Sequence, residues 1–306
     1  MNTRAQFQRL LFPGLKEVII NAFNEKMQQY SKVGKVQNTS KAFEEDFTAA
    51  GVGLFPITPE GISASSDAFT PGLSIRYTVN DFKLRIGFTQ QAVRDMLVNL
   101  ANDRGRDLGF SARQTMEVLF ADIWNNGFTA NGFDGVPLFS AAHPNYRGAT
   151  TQSNLLSATI NNVPMATPST LSVLSLRQAL AQYRRFFDET GVRRIQVDPS
   201  LLVVPPEEWY NAQEIVKSSD RPDTANRATN VVKGVLEIMP YDYLISVNHW
   251  YIGPTQQYNR IKFYLRRALT ISTYTDEDTE ISWVQAAFAY SQGWSGWLGW
   301  LGTNPV

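Results

Sequence analysis

Tyr77-Thr-Val-Asn-Asp-Phe-Lys-Leu-Arg-Ile86, followed at once by a helical pattern from Gln90 to Trp124, is the stretch on which the fold turns. Its first part alternates. Ile75, Tyr77 and Val79, then Phe82, Leu84 and Ile86, read as period-two runs of a strand. Thr89 is expected to cap a long helix, with Val93, Met96, Leu97, Leu100 and Ala101 following at helical steps. Gly105 and Gly109 are expected to break or kink the helix, which Ala112, Met116, Leu119, Phe120, Ile123 and Trp124 carry onward. If continuous, it measures ~50 Å at 1.5 Å per residue. That is a spine, too long for one small core to wrap.

Upstream, residues 49–75 are the oddest part of the chain. They hold no Lys or Arg, only Glu60 and Asp67 as acids, and are dense in Gly, Pro, Ser and Thr. Single large apolar residues stand apart at Leu54, Phe55, Ile57, Ile62, Phe69 and Leu73. The segment lacks the high net charge of a disordered region, and a loop this long is unusual inside a compact domain. A long neutral hairpin with spaced apolar side chains makes sense if another subunit supplies the surface beneath it. The alternative is an ordinary mobile surface loop. Earlier still, Pro13 suits a first helical turn, and Leu15, Val18, Ile19, Ala22, Phe23, Met27 and Tyr30 form one apolar stripe. Residues 31–40 are polar and read as a connector.

Downstream of Gly127 the chain reads as loops and short strands, then a helix over about 169–187. Leu201–Val204 is a buried-strand run, and Pro205-Pro206 opens a helix through Trp209, Ile215 and Val216. Further strands are expected at Val231–Ile238, His249–Ile252, Ile261–Tyr274 and Ile281–Tyr290. The last two read as one long hairpin, with Asp276, Glu277, Asp278 and Glu280 at its turn. The tally is α+β with segregated helices and long strands.

Composition mostly excludes. The 28 basic residues balance 28 acidic ones, which argues against a dedicated nucleic-acid binder whose affinity rests on excess Lys and Arg. With no cysteine among 306 residues, disulfides, thiolate metal sites and cysteine nucleophiles are impossible. That absence fits assembly in a reducing cytoplasm. No run approaches ~20 apolar residues, so no membrane-spanning helix is expected. His143 and His249 are the only histidines, and neither has a partner at zinc spacing. His143 reads as a hydrogen-bonded structural residue. The acidic group at 276–280 lacks the glycine and length of a calcium loop and reads as a solvated turn. No nucleophile elbow, Walker loop or dinucleotide fingerprint is present. Trp294, Trp297 and Trp300, spaced by glycines, are expected to pack against protein.

Several segments in combination resemble the major head subunit of Mu-like phages, within the tailed-phage major-capsid fold named for coliphage Hong Kong 97. They are Tyr77–Ile86, Asp134-Gly-Val-Pro-Leu-Phe-Ser-Ala-Ala-His143-Pro, Asp198-Pro-Ser-Leu-Leu-Val-Val-Pro-Pro206 running into Trp209, Asn248-His-Trp-Tyr-Ile252, and Trp283–Tyr290. The likeness covers roughly residues 75–295; the first seventy positions match in layout more than in letters.

The resemblance implies a major capsid protein that self-assembles into the icosahedral shell of a virion head, in the host cytoplasm. It implies an N-terminal arm (1–45), an extended loop (46–80), a peripheral domain with the spine (81–165), an inserted axial domain (166–262), and return strands with a tail (263–306). Phe7 and Phe12 in the arm, and Leu54, Phe55, Ile57, Ile62, Phe69 and Leu73 in the loop, are then the expected inter-subunit contacts. The implied partners are further copies in pentamers and hexamers, a separate scaffolding protein, a portal, a decoration protein in some shells, and double-stranded DNA enclosed without sequence-specific binding. No cofactor, metal, membrane or catalytic residue is expected. Scaffolding is assigned to a separate product because the structured arm begins within the first dozen residues. The rival readings are an encapsulin-type nanocompartment and, remotely, a soluble hydrolase with no recognisable motif.

Overall fold

The computed structural model describes residues 4–49, 51–67, 71–89, 91, 98–145, 150–156, 159–160, 163–164, 170–195, 197–220, 228–276, 278–279 and 281–304. Side chains of residues 4–12 lie outside that description, and with them Phe7 and Phe12; Phe69 lies outside it altogether. The described elements are mixed helix and strand, as expected.

Helix α1 spans Arg4–Glu25. Pro13 therefore sits inside the helix and not in its first turn, leaving the carbonyl of Arg9 without its usual amide partner. Leu15, Ile19 and Ala22 are buried, but the helix ends before Met27, which is 70% exposed. A single turn, α2 (Tyr30–Val33), leads into strand β1 (Lys35–Asn38). The polar connector is thus partly a strand: β1 runs parallel to the far longer β12 (Ile261–Asp276). Pairing with a distant strand outweighed its weak local pattern.

Strands β2 (Phe43–Ala49) and β3 (Pro71–Thr78) form an antiparallel pair of their own. Strand β4 (Asn80–Thr89) follows, then the spine helix α3 (Val98–Asn125), whose 28 residues span ~42 Å. The expected start of the spine at residue 90 falls mostly outside the described residues. Gly105 and Gly109 do not break the helix. They are where α1 approaches it: a Cβ at Gly109 would lie 2.4 Å from the Ile19 carbonyl oxygen, and one at Gly105 2.5 Å from Leu15 Cδ1. The close approach of α1 accounts for both glycines.

Two-residue ladders pair β5 (His143–Pro144) with β6 (Thr151–Gln152) and β7 (Thr159–Ile160) with β8 (Val163–Pro164). Helix α4 (Val173–Tyr183) starts at Ser172, whose hydroxyl accepts from the Ser175 amide while the Ser175 hydroxyl accepts from the Ser172 amide. Strand β9 (Pro199–Val204), a 3-10 turn from Pro206 and helix α5 (Trp209–Lys217) follow the reading of that segment. Of the strand expected over 231–238, only β10 (Glu237–Pro240) forms. Residues 231–234 turn instead, with Val231 at 64% exposure. Strand β11 is Tyr251–Pro254.

The long hairpin is present: β12 pairs antiparallel with β13 (Ile281–Trp294) from Ile261–Trp294 to Asp276–Ile281. The first sheet runs β1-β12-β13-β4 and the second β10-β9-β11-β14, with β14 at Leu301–Gly302. The segment 263–306 is thereby divided, its strands in the first sheet and its end in the second. Leu201 and Val203 of β9 face one core and Leu202 and Val204 the other. This is why the run is apolar without alternation.

Buried polar contacts tie arm to spine. Glu117 of α3 is 1% exposed, and its carboxylate oxygens accept from the amides of Gln29 (2.8 Å) and Tyr30 (2.9 Å). Burial pushes its pKa up to about 7 from the usual 4.5, against the lowering effect of those two amides and Arg113. A carboxyl raised in the folded state stabilises most below about 4.5, and that contribution is lost as pH rises through about 7. The shift corresponds to roughly 3 kcal/mol. Stability of unassembled subunits should therefore fall between pH 4.5 and 7 by an amount that Glu117→Gln removes. Urea titrations at several pH values check this; equal slopes in both proteins would refute it.

Candidate inter-subunit surface

The hairpin built on β2 and β3 is anchored firmly at its base. Tyr77 is buried against Tyr264, ring centroids 5.1 Å apart. Lys262 pairs with Asp46, and Arg76 with Glu45 at 2.7 Å. The Thr48 hydroxyl both donates to the Leu73 carbonyl (3.0 Å) and accepts from the Leu73 amide (2.9 Å). Beyond that base two contacts within the loop are described. The Gly53 amide donates to Asp67 Oδ2 at 2.7 Å, and the Ile62 amide donates to the Pro59 carbonyl at 3.2 Å, with Gly61 at φ +83°.

Of the apolar residues singled out in this loop, the described ones are not in the core. Phe55 is 100% exposed and Ile57 98%, with Leu54, Ile62 and Leu73 also exposed. Phe47 on β2 and Val52 belong with them. They escaped notice because Phe47 sits in an ordinary-looking strand pattern and Val52 between two glycines. Such isolated apolar side chains, held on a well-anchored stalk, are what a surface awaiting a partner looks like.

The chemistry candidates resolve as structure. His143 is fully buried: Nδ1 lies 2.8 Å from Asp134 Oδ2, Nε2 lies 3.2 Å from Asn154 Oδ1, and the ring stacks on Trp297. Asn154 spends its amide on the Leu138 carbonyl at 2.7 Å, so the histidine pins the 134–154 loop to the tail. At the hairpin turn the Asp276 carboxylate accepts from the Asp278 amide and the Thr279 hydroxyl. Among the described residues no group of acidic or histidine side chains could hold a metal ion, and no helix is long and apolar enough to cross a membrane. The tryptophan tail packs on protein, with Trp297 and Trp300 buried.

Anchored hairpin, spine and long-stranded sheet together define a shell-building subunit. A model of the phage capsid protein family matches residues 72–301, and the chain belongs to that family. It is a major capsid protein, the subunit of a virion head shell. The fold is shared with solved shells at low identity. The procapsid protein of bacteriophage JBD30 is 15% identical, covering all of this chain and 77% of that one at a TM-score of 0.52. The capsid protein of Ralstonia phage GP4 is 11% identical over 90% and 87%, at 0.57. The virus-like particle from Pyrococcus furiosus is 9% identical over 96% and 99%, at 0.52. No curated protein sequence matches the chain.

Proposed function

We propose that this subunit closes an icosahedral phage head as pentamers and hexamers, using its hairpin as the strap that binds each copy to the next. The observation that carries this is the exposure of Leu54, Phe55, Ile57 and Ile62 on an anchored stalk. In this reading 1–45 is the arm, 46–80 the extended loop, 81–165 and the return strands from 263 the peripheral domain, and 166–262 the axial insertion. Among its relatives we place it nearest the Mu-like head subunits. The subunit performs no catalysis, works with a separate scaffold and a portal, takes a decoration protein where the shell carries one, and assembles in the host cytoplasm. Its balanced charge suits a container that encloses double-stranded DNA without gripping it.

The purified protein, co-expressed with its scaffold, should form angular hollow particles of one size in negative stain. Only soluble monomers under all conditions would refute a shell. Particles from infected cells should contain phage DNA; protein cargo in its place would favour a nanocompartment. The mature shell should also lack lysine–asparagine cross-links. No lysine lies between Lys41 and Lys83, so the loop tip has no amine to attack an amide carbon. Boiled shells should therefore run as single subunits on a denaturing gel, and a surviving covalent ladder would contradict this.

A further inference from the structure

The first sheet has one face against α1 and α3; its other face is covered by Tyr77 and Asp46 at the Lys262–Tyr264 end and is open towards the β12–β13 turn. Alternation assigns the side chains. Ile86, Val284 and Ala286 belong to the core beside Leu15, Ile19 and Leu108. Their strand neighbours Lys83, Arg85 and Gly87 of β4 therefore share the opposite face with their cross-strand partners Ala287, Gln285 and Trp283, and with Tyr274, which pairs with Trp283 from β12. Arg85 is stacked there with Cζ 4.2 Å over the Trp283 ring, and its Nη1 donates to the Tyr274 hydroxyl at 2.5 Å. The absence of a side chain at Gly87 lets that ring lie across the strand: a Cβ would come within 2.8 Å of it. The result is a sheet face that carries Trp283 and Tyr274 with the Arg85 cation held between them and an exposed Lys83 alongside. Neither cation has an acidic partner among the described residues. Asp276 stands at the far end of the same face, with its carboxylate held in the hairpin turn.

The hairpin has the opposite character. Between Lys41 and Arg76 it holds no cation. Asp67 is engaged with the Gly53 amide, so the charge carried at the tip, between the exposed Phe55, Ile57 and Ile62, is Glu60. In the single chain both the tip and this sheet face are exposed and do not meet. A second copy is the occupant that supplies each with its complement.

We infer that the sheet face around Lys83 and Arg85 is the landing surface for the hairpin tip of a neighbouring copy, with Glu60 meeting the two cations and Phe55 and Ile57 lying against Trp283 and Tyr274. This rests on the hairpin being an inter-subunit strap and names the surface it straps. Reversing one charge places like charges together and should lower particle yield about tenfold, as an unfavourable contact repeated in every copy. Glu60→Lys and Lys83→Glu are each expected to do this while unassembled subunits keep their circular dichroism and melting curves. Lys83 makes no described contact that the substitution would break. The double variant Glu60→Lys/Lys83→Glu should recover most of the yield. Normal yield from Lys83→Glu, or no recovery in the double variant, would overturn the assignment. Yields should be compared with those of a hairpin deletion. If the deletion abolishes shells while Lys83→Glu is normal, the strap stands and this landing surface falls. If neither has an effect, the strap reading falls as well.

Discussion

Replacing residues 52–66 with a short Gly-Ser turn should yield a soluble subunit that unfolds cooperatively and makes no shells. The segment removed contributes nothing to the three buried clusters of the subunit. The anchoring contacts of Tyr77, Asp46, Thr48 and Arg76 all lie outside it. Fully burying Leu54, Phe55, Ile57 and Ile62 would be worth about 1.5–3 kcal/mol each. Ordering the loop opposes this by about 1–2 kcal/mol for each residue newly fixed, so the contact is favourable only where no more than about five residues are newly ordered. Even a small surplus matters, because a closed symmetric shell repeats the contact in every copy. Thermal unfolding and electron microscopy on one preparation read both halves of the expectation. Normal shells, or a chain that fails to fold, would each show that the hairpin has another job.

The second large effect lies at the other end of the chain. Trp300 is fully buried, packs edge-on against Trp124 at 5.5 Å, and donates from Nε1 to Asn259 Oδ1 at 3.2 Å. The same oxygen accepts from the Ile261 amide, and the Asn259 amide donates to the Val33 carbonyl. Trp300 is thus the point where tail, spine, arm and hairpin meet. Truncating a buried tryptophan to alanine costs about 3–5 kcal/mol, a large share of the roughly 5–15 kcal/mol that holds a typical domain together. Trp300→Ala should consequently shift the urea midpoint of unassembled subunits far down, or leave them insoluble. A change under about 1 kcal/mol would mean that the tail is not part of the core. Trp300→Phe, which keeps an aromatic ring but lacks the indole donor, should fall between the two.

Much of this was legible along the chain because periodicity is local. The alternation of Tyr77–Ile86 became β4 and the end of β3, and the helical stripe from Leu100 to Trp124 became the spine. The unbroken run Leu201–Val204 became a strand buried on both faces, and Ile261–Tyr290 became the long hairpin. The exposed hairpin was legible too, because large apolar residues isolated among Gly and Pro cannot build a core for themselves. The hydrogen-bonded place of His143 was expected as well, from the lack of a metal-ligand spacing around it.

What the sequence could not determine depends on partners far away in it. Gly105 and Gly109 carry the same letters whether they break a helix or admit a close neighbour, and only the approach of Leu15 and Ile19 decided which. Residues 35–38 form a strand because β12 offers an edge, not because of their own pattern. Leu301 and Gly302 leave the long-stranded sheet for the second because β11 has a free side. Glu117 reads as one more polar position on an amphipathic helix. Its burial against the Gln29 and Tyr30 amides, 88 and 87 residues away, is a product of tertiary packing. Local pattern determines which elements form and which face each buries. Which element meets which, and what a glycine or a carboxylate then does, is decided by long-range contacts that no local window of sequence contains.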